Sequence, residues 1–171
     1  MKNNYVIRAQ KFIEDIFPYI ENNLANKKFL NCFMNEAIEN FCYEKRRRVI
    51  YARGCSRACF ISSDYVVKYD YFEGGYFGDS KSELKAYQEI VKLGYEYLFA
   101  EITPYSYHNY TFYIMPRIKN INERREDDEL YDYLNEEESE FLTNYFEDLH
   151  SGNYGFKDGM PVSIDYACTM F

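Results

Sequence analysis

The sequence predicts an α+β fold built on a five-stranded antiparallel sheet. Short β-branched and aromatic segments follow one another with only turns between them, which favours antiparallel pairing over alternating βαβ units. Two stripes of apolar residues at helical spacing precede those segments. The 171 residues are 47% hydrophobic and 20% aromatic, enough large side chains to fill a core of ordinary size.

Ile13, Ile16, Phe17, Ile20 and Leu24 recur at helical spacing, and Pro18 is expected to kink or split that helix. A second stripe runs through Leu30, Phe33, Met34, Ala37, Ile38 and Phe41. These helices either brace the sheet or offer a surface to a partner. After Arg48 the character changes. Val49–Arg53, Ala58–Ile61 and Tyr65–Tyr69 predict strands, with turns at residues 54–57 and 62–64. Gly74, Gly75 and Gly78 mark a loop. Ser80 with Glu83 three residues on is a capping-box pattern that opens a helix, and Gly94 is its stop. Leu98–Ile102 and Tyr110–Met115 predict the last two strands. From Glu123 to Asp148 stand twelve acidic residues, the pattern of a solvated helical face. One short helix is expected through Leu130, Tyr133 and Leu134, and another through Phe141, Leu142, Tyr145 and Phe146. Residues 148–171 predict a hairpin that turns at Lys157-Asp158-Gly159.

Net charge is −8 and the isoelectric point is near 4.9, which argues against nucleic acid as a partner. Lys45, Arg46, Arg47 and Arg48 form a local basic run, which reads as a solvated helix end whose cations complement the dipole rather than as a binding patch. Five cysteines, an odd number with no CxxC pair, predict neither a disulfide framework nor a zinc site and fit a reducing cytoplasm. The first ten residues are too polar for a signal peptide. No apolar run reaches membrane-spanning length, so no membrane partner is expected.

The densest concentration of chemistry lies near the end of the chain. Asp148-Leu-His-Ser-Gly-Asn153-Tyr-Gly is followed by Val162-Ser-Ile-Asp165-Tyr-Ala167. An Asp precedes an Asn by five positions, and a second Asp follows that Asn by twelve, just after a short apolar strand. Phosphoryl transfer uses such a set: one carboxylate orients or deprotonates the acceptor hydroxyl, while an Asn and another Asp hold magnesium on the phosphates. Taken alone, Asp148 and Asn153 would suit a turn into the hairpin.

On these residues the sequence resembles the protein-kinase-like superfamily. The Asp148-x-His150-x-x-Asn153 pattern is similar to the aminoglycoside-phosphotransferase branch, and above all to small kinase-like proteins of bacteriophages and mobile elements. Val66-Val67-Lys68 resembles the strand whose Lys contacts nucleotide phosphates. Glu83 stands where that family places the partner of the Lys, so the ion-pair and capping-box readings of Glu83 compete. Tyr110–Arg117, with Met115, resembles the strand and hinge that hold adenine. Gly54 and Arg57 fall at the position of the glycine-rich loop, though G-x-G-x-x-G is not met.

The resemblance covers residues 49–171 and implies a reduced kinase-like fold. A helical extension (1–48) precedes a sheet-bearing lobe (49–117) and a stunted helical lobe (118–171), in one compact unit. It implies ATP and magnesium as cofactors. Asp148 would be the base, Asn153 and Asp165 the metal ligands, and Lys68, Glu83, Gly54, Arg57 and Met115 the nucleotide contacts. The Arg of the usual His-Arg-Asp triplet is absent, since Phe146-Glu147 precede Asp148. The resemblance implies an activation segment after Asp165, and the six residues Tyr166–Phe171 do not match one. Two functions therefore stand side by side. One is a phosphotransferase acting on a protein or small-molecule hydroxyl. The other is a pseudokinase binding module, such as a phage protein that inhibits a host factor in the host cytoplasm.

Overall fold

A computed structural model describes residues 4–24, 38, 40–43, 49–53, 57–70, 80–120, 131–146 and 152–166. The chain divides into two compact units. The first comprises residues 1–71 and 104–117, and the second residues 72–103 and 118–171.

In the first unit, helix α1 (Asn4–Leu24) precedes strands β1 (Ile50–Arg53), β2 (Arg57–Ile61) and β3 (Tyr65–Asp70). Strands β4 (Thr103–Tyr107) and β5 (Tyr110–Pro116) complete an antiparallel sheet of order β1-β2-β3-β5-β4. The α+β class and the five-stranded sheet are thus as the sequence predicts. Ser62–Asp64 closes the β2–β3 hairpin, with the Ser62 N–H donating to the Tyr65 carbonyl at 2.9 Å. Arg117 ties the end of β5 to that turn. Its N–H reaches the Asp64 carbonyl at 3.1 Å and its guanidinium the Ser62 carbonyl at 2.7 Å.

Alternation along each strand decides what the sheet buries. Phe60, Tyr65, Val67, Tyr69, Phe112 and Ile114 point to one side and form a core with α1. The stripe Val6, Ala9, Phe12, Ile13, Ile16, Phe17 and Ile20 lies against them. Phe12 packs on Phe60 and Tyr65, with ring centroids 5.4 and 6.1 Å away. Phe17 packs on Tyr107, Tyr110 and Phe112. Tyr105 of β4 donates to Glu14 at 3.0 Å. Ile38, Phe41 and Cys42 join the same core, and residues 40–43 are helical. Of the two roles open to the N-terminal stripe, α1 therefore takes the bracing one.

Two expectations need correction. Pro18 does not split its helix: α1 runs unbroken for 21 residues. Pro18 is exposed, whereas Phe17 and Ile20 beside it are buried, so the helix continues past the proline with its apolar stripe in the core. The hydrogen bond that the proline removes is the one to the Glu14 carbonyl, and Glu14 also lies on the exposed face. Nor is Leu98–Ile102 a strand. A 3-10 turn occupies Glu96–Leu98, and Phe99 makes an isolated parallel bridge to Ser163. The strand is Thr103–Tyr107, whose residues alternate between half-buried and exposed. It lies at the sheet edge, where Pro104 is tolerated. Apolar content had pointed to the neighbouring segment, whose Leu98, Phe99, Ala100 and Ile102 are buried in the second unit.

The second unit holds helix α2 (Ser80–Leu93), helix α3 (Glu136–Tyr145) and a small sheet β6-β7-β8 (Lys119–Asn120, Tyr154–Lys157, Met160–Ser163). Gly94 ends α2 with a positive φ of 85°. The Gly94 and Tyr95 N–H groups return to the Val91 and Ile90 carbonyls, the pattern of a Schellman cap. Phe99 packs on Phe141, Phe146 and Tyr166. The expected hairpin is present. Lys157 pairs with Met160, and the two turn residues Asp158 and Gly159 both have positive φ, as a tight two-residue turn of the I′ kind requires.

Candidate functional site

In the first unit, three of the residues singled out by sequence share one sheet. Lys68 of β3 pairs with Cys59 of β2 and Tyr113 of β5. Val66 pairs with Met115, and Arg57 pairs with Asp70. By strand alternation all of these face away from the α1 core. Lys68 is 4% exposed, an unusual position for a lysine without a specific role. Gly54, at the β1–β2 connection, lies outside the described residues.

In the second unit, the β7–β8 hairpin sets the geometry. Asn153 immediately precedes β7, and Ile164 and Asp165 follow β8. Antiparallel pairing therefore returns the chain to Asn153. Its carbonyl accepts the Ile164 N–H at 2.8 Å and the Asp165 N–H at 3.4 Å, and the Ser163 hydroxyl also reaches it at 3.4 Å. Twelve positions apart in sequence, Asn153 and Asp165 are neighbours at the open end of the hairpin, and both are half-buried. Asp148 lies outside the described residues.

Glu83 belongs to the same unit. It sits in the first turn of α2 and is completely buried. Its Oε1 accepts the backbone N–H of Tyr166 at 3.2 Å. The Tyr166 ring lies between Tyr87 and Phe99, and its hydroxyl donates to the Ala100 carbonyl at 2.6 Å. Burial first, then the negative charges around it with Glu83 foremost, hold the Tyr166 phenol well above its usual pKa. The hydroxyl therefore stays protonated and remains a donor.

The donor chemistry here suits magnesium: Asn153 carries an amide oxygen and Asp165 a carboxylate, both hard oxygen donors, on residues whose backbones meet at the open end of the hairpin. Among the described residues no three His, Cys, Asp or Glu side chains converge on a metal position. Magnesium does not require such a group, because it commonly keeps several waters and takes only one or two protein carboxylates beside substrate phosphates.

Sequence reasoning missed two features of this unit. Asn135 and Glu138 form a capping box at the start of α3. Asn135 Oδ1 accepts the Glu138 N–H at 2.9 Å, and Glu138 Oε2 accepts the Asn135 N–H at 2.8 Å. The pattern Asn-x-x-Glu is legible in the sequence, but it stands inside the acidic stretch and reads as part of it. Tyr97 donates to the other oxygen of Glu138 at 2.7 Å, and no local pattern announces that contact. Burial and this hydrogen bond push the Tyr97 phenol up to about 12.

Among the described residues no helix is long and apolar enough to cross a membrane. No family model, curated protein or solved structure matches the chain.

Proposed function

We propose that the chain is a kinase-like protein that binds ATP with magnesium. One observation carries the reading: the β7–β8 hairpin brings Asn153 beside Asp165, with the Asp165 N–H directed to the Asn153 carbonyl. An Asn and an Asp at this separation, made adjacent by a hairpin, are the pair that holds magnesium on nucleotide phosphates in kinases. Support comes from Glu83, buried in α2 and hydrogen-bonded to the residue after Asp165. Support also comes from Lys68, buried on a central strand.

In this reading Asn153 and Asp165 hold the metal, Lys68 contacts phosphate and Asp148 orients or deprotonates an acceptor hydroxyl. Bound magnesium would neutralise the phosphate charge that grows during transfer. Calorimetric titration with ATP, with and without magnesium, tests the reading.

A second reading, a pseudokinase that acts by docking on a basic protein, is favoured by the outer face of the second unit. Glu136, Glu137 and Glu140 of α3 are exposed there, as are the rings of Tyr97 and Tyr145. A function that survives Asp165→Asn would support it over transfer.

A further inference from the structure

The four-residue segment Ser163–Tyr166 is stapled at both ends to a single residue, Ala100. The Ala100 N–H donates to the Ser163 carbonyl at 2.9 Å, and the Ala100 carbonyl accepts the Tyr166 hydroxyl at 2.6 Å. Asp165 lies inside the stapled segment. Two more bonds fix the backbone on either side of its carboxylate. Its own N–H is directed to the Asn153 carbonyl at 3.4 Å, and the next N–H, that of Tyr166, goes to Glu83 at 3.2 Å. Ala100 and Tyr166 are each 2% exposed. Water cannot easily replace the Tyr166–Ala100 bond, so breaking it strands a buried acceptor.

We infer that Tyr166 is a positioning residue for the metal site: its hydroxyl, latched on the Ala100 carbonyl, holds the Asp165 carboxylate where it can share magnesium with Asn153. The hydroxyl is the informative atom. A phenylalanine would fill the same space between Tyr87 and Phe99 and could not make the latch. A ligand held in place before the metal arrives loses less freedom on binding it. The latch should therefore show itself in the magnesium-dependent part of nucleotide affinity rather than in nucleotide affinity as a whole. This inference rests on the magnesium-nucleotide reading above.

The test compares the unmodified chain with Tyr166→Phe by calorimetric titration of ATP, once with magnesium and once with EDTA. The readout is the ratio of the two affinities. The expected result is a ratio lowered roughly two- to tenfold in Tyr166→Phe, the equivalent of one hydrogen bond, with the EDTA affinity unchanged. An unchanged ratio overturns the inference. So does a loss that falls equally on both conditions, because that is the signature of general loosening. Failure of the unmodified chain to bind ATP in either condition overturns the nucleotide reading itself. Should Tyr166→Phe fail to fold, hydrogen exchange in the unmodified chain decides. Slower exchange of the Asp165 and Tyr166 amides with magnesium-ATP than with ATP in EDTA supports coupling between latch and metal. Equal exchange overturns it.

Discussion

The backbone N–H of Tyr166 donates to Oε1 of Glu83 at 3.2 Å, joining residues 83 positions apart in the chain. Both are buried. Glu83→Ala removes the acceptor, and an unsatisfied buried donor costs about 1–3 kcal/mol. Urea melts should show at least that loss. Glu83→Gln keeps an oxygen for the Tyr166 N–H and should lose less. Equal losses in the two variants would show that this bond is not what Glu83 contributes.

The capping box of α3 gives a local prediction. Asn135 is exposed, so few packing contacts are lost on its truncation. Asn135→Ala should therefore cost about 1 kcal/mol, the usual effect of losing an N-cap side chain. Asn135→Ser should retain most of that stability, and the same melts measure both.

Pro18 predicts a gain. Proline in a helix interior is about 3 kcal/mol less favourable than alanine, and this one is exposed inside an unbroken helix. Pro18→Ala should raise the melting temperature. A fall would mean that the proline fits a bend on which the α1 core depends.

These residues also show what was legible in the sequence. Helical spacing of apolar residues located α1, because that helix buries one face, and β-branched and aromatic content between turns located β1, β2, β3 and β5. β4 escaped because an edge strand of alternating Tyr with a proline carries little apolar signal, while the buried segment before it carries much. Asn153 and Asp165 were legible through their spacing around a turn-forming Asp-Gly, which sets the length of the hairpin that joins them. The Ala100 staple was not. It depends on one tyrosine hydroxyl meeting one backbone carbonyl 66 positions away, and neither residue type advertises that pairing.

The Tyr97 phenol predicts a pH dependence. Its folded pKa is pushed from 10.0 up to about 12 by burial and by the hydrogen bond to Glu138. The folded state therefore holds this proton more tightly than the unfolded state does. That contribution is fully present below about pH 10 and is lost as the pH rises through about 12. Tyr97→Phe should remove one late-titrating tyrosinate from the alkaline absorbance titration. It should also flatten the alkaline decline in stability. The ring is about half exposed, so solvent screening keeps the effect small.

Binding of ATP by the unmodified chain and by Asp165→Asn, each with and without magnesium, tests the central claim most directly. The neutral amide is a poor substitute for an anionic oxygen ligand. The account predicts magnesium-dependent binding to the unmodified chain and its loss in Asp165→Asn, with the melting temperature in the absence of metal unchanged or slightly higher. No binding at millimolar nucleotide, or magnesium-dependent binding that survives Asp165→Asn undiminished, would contradict it.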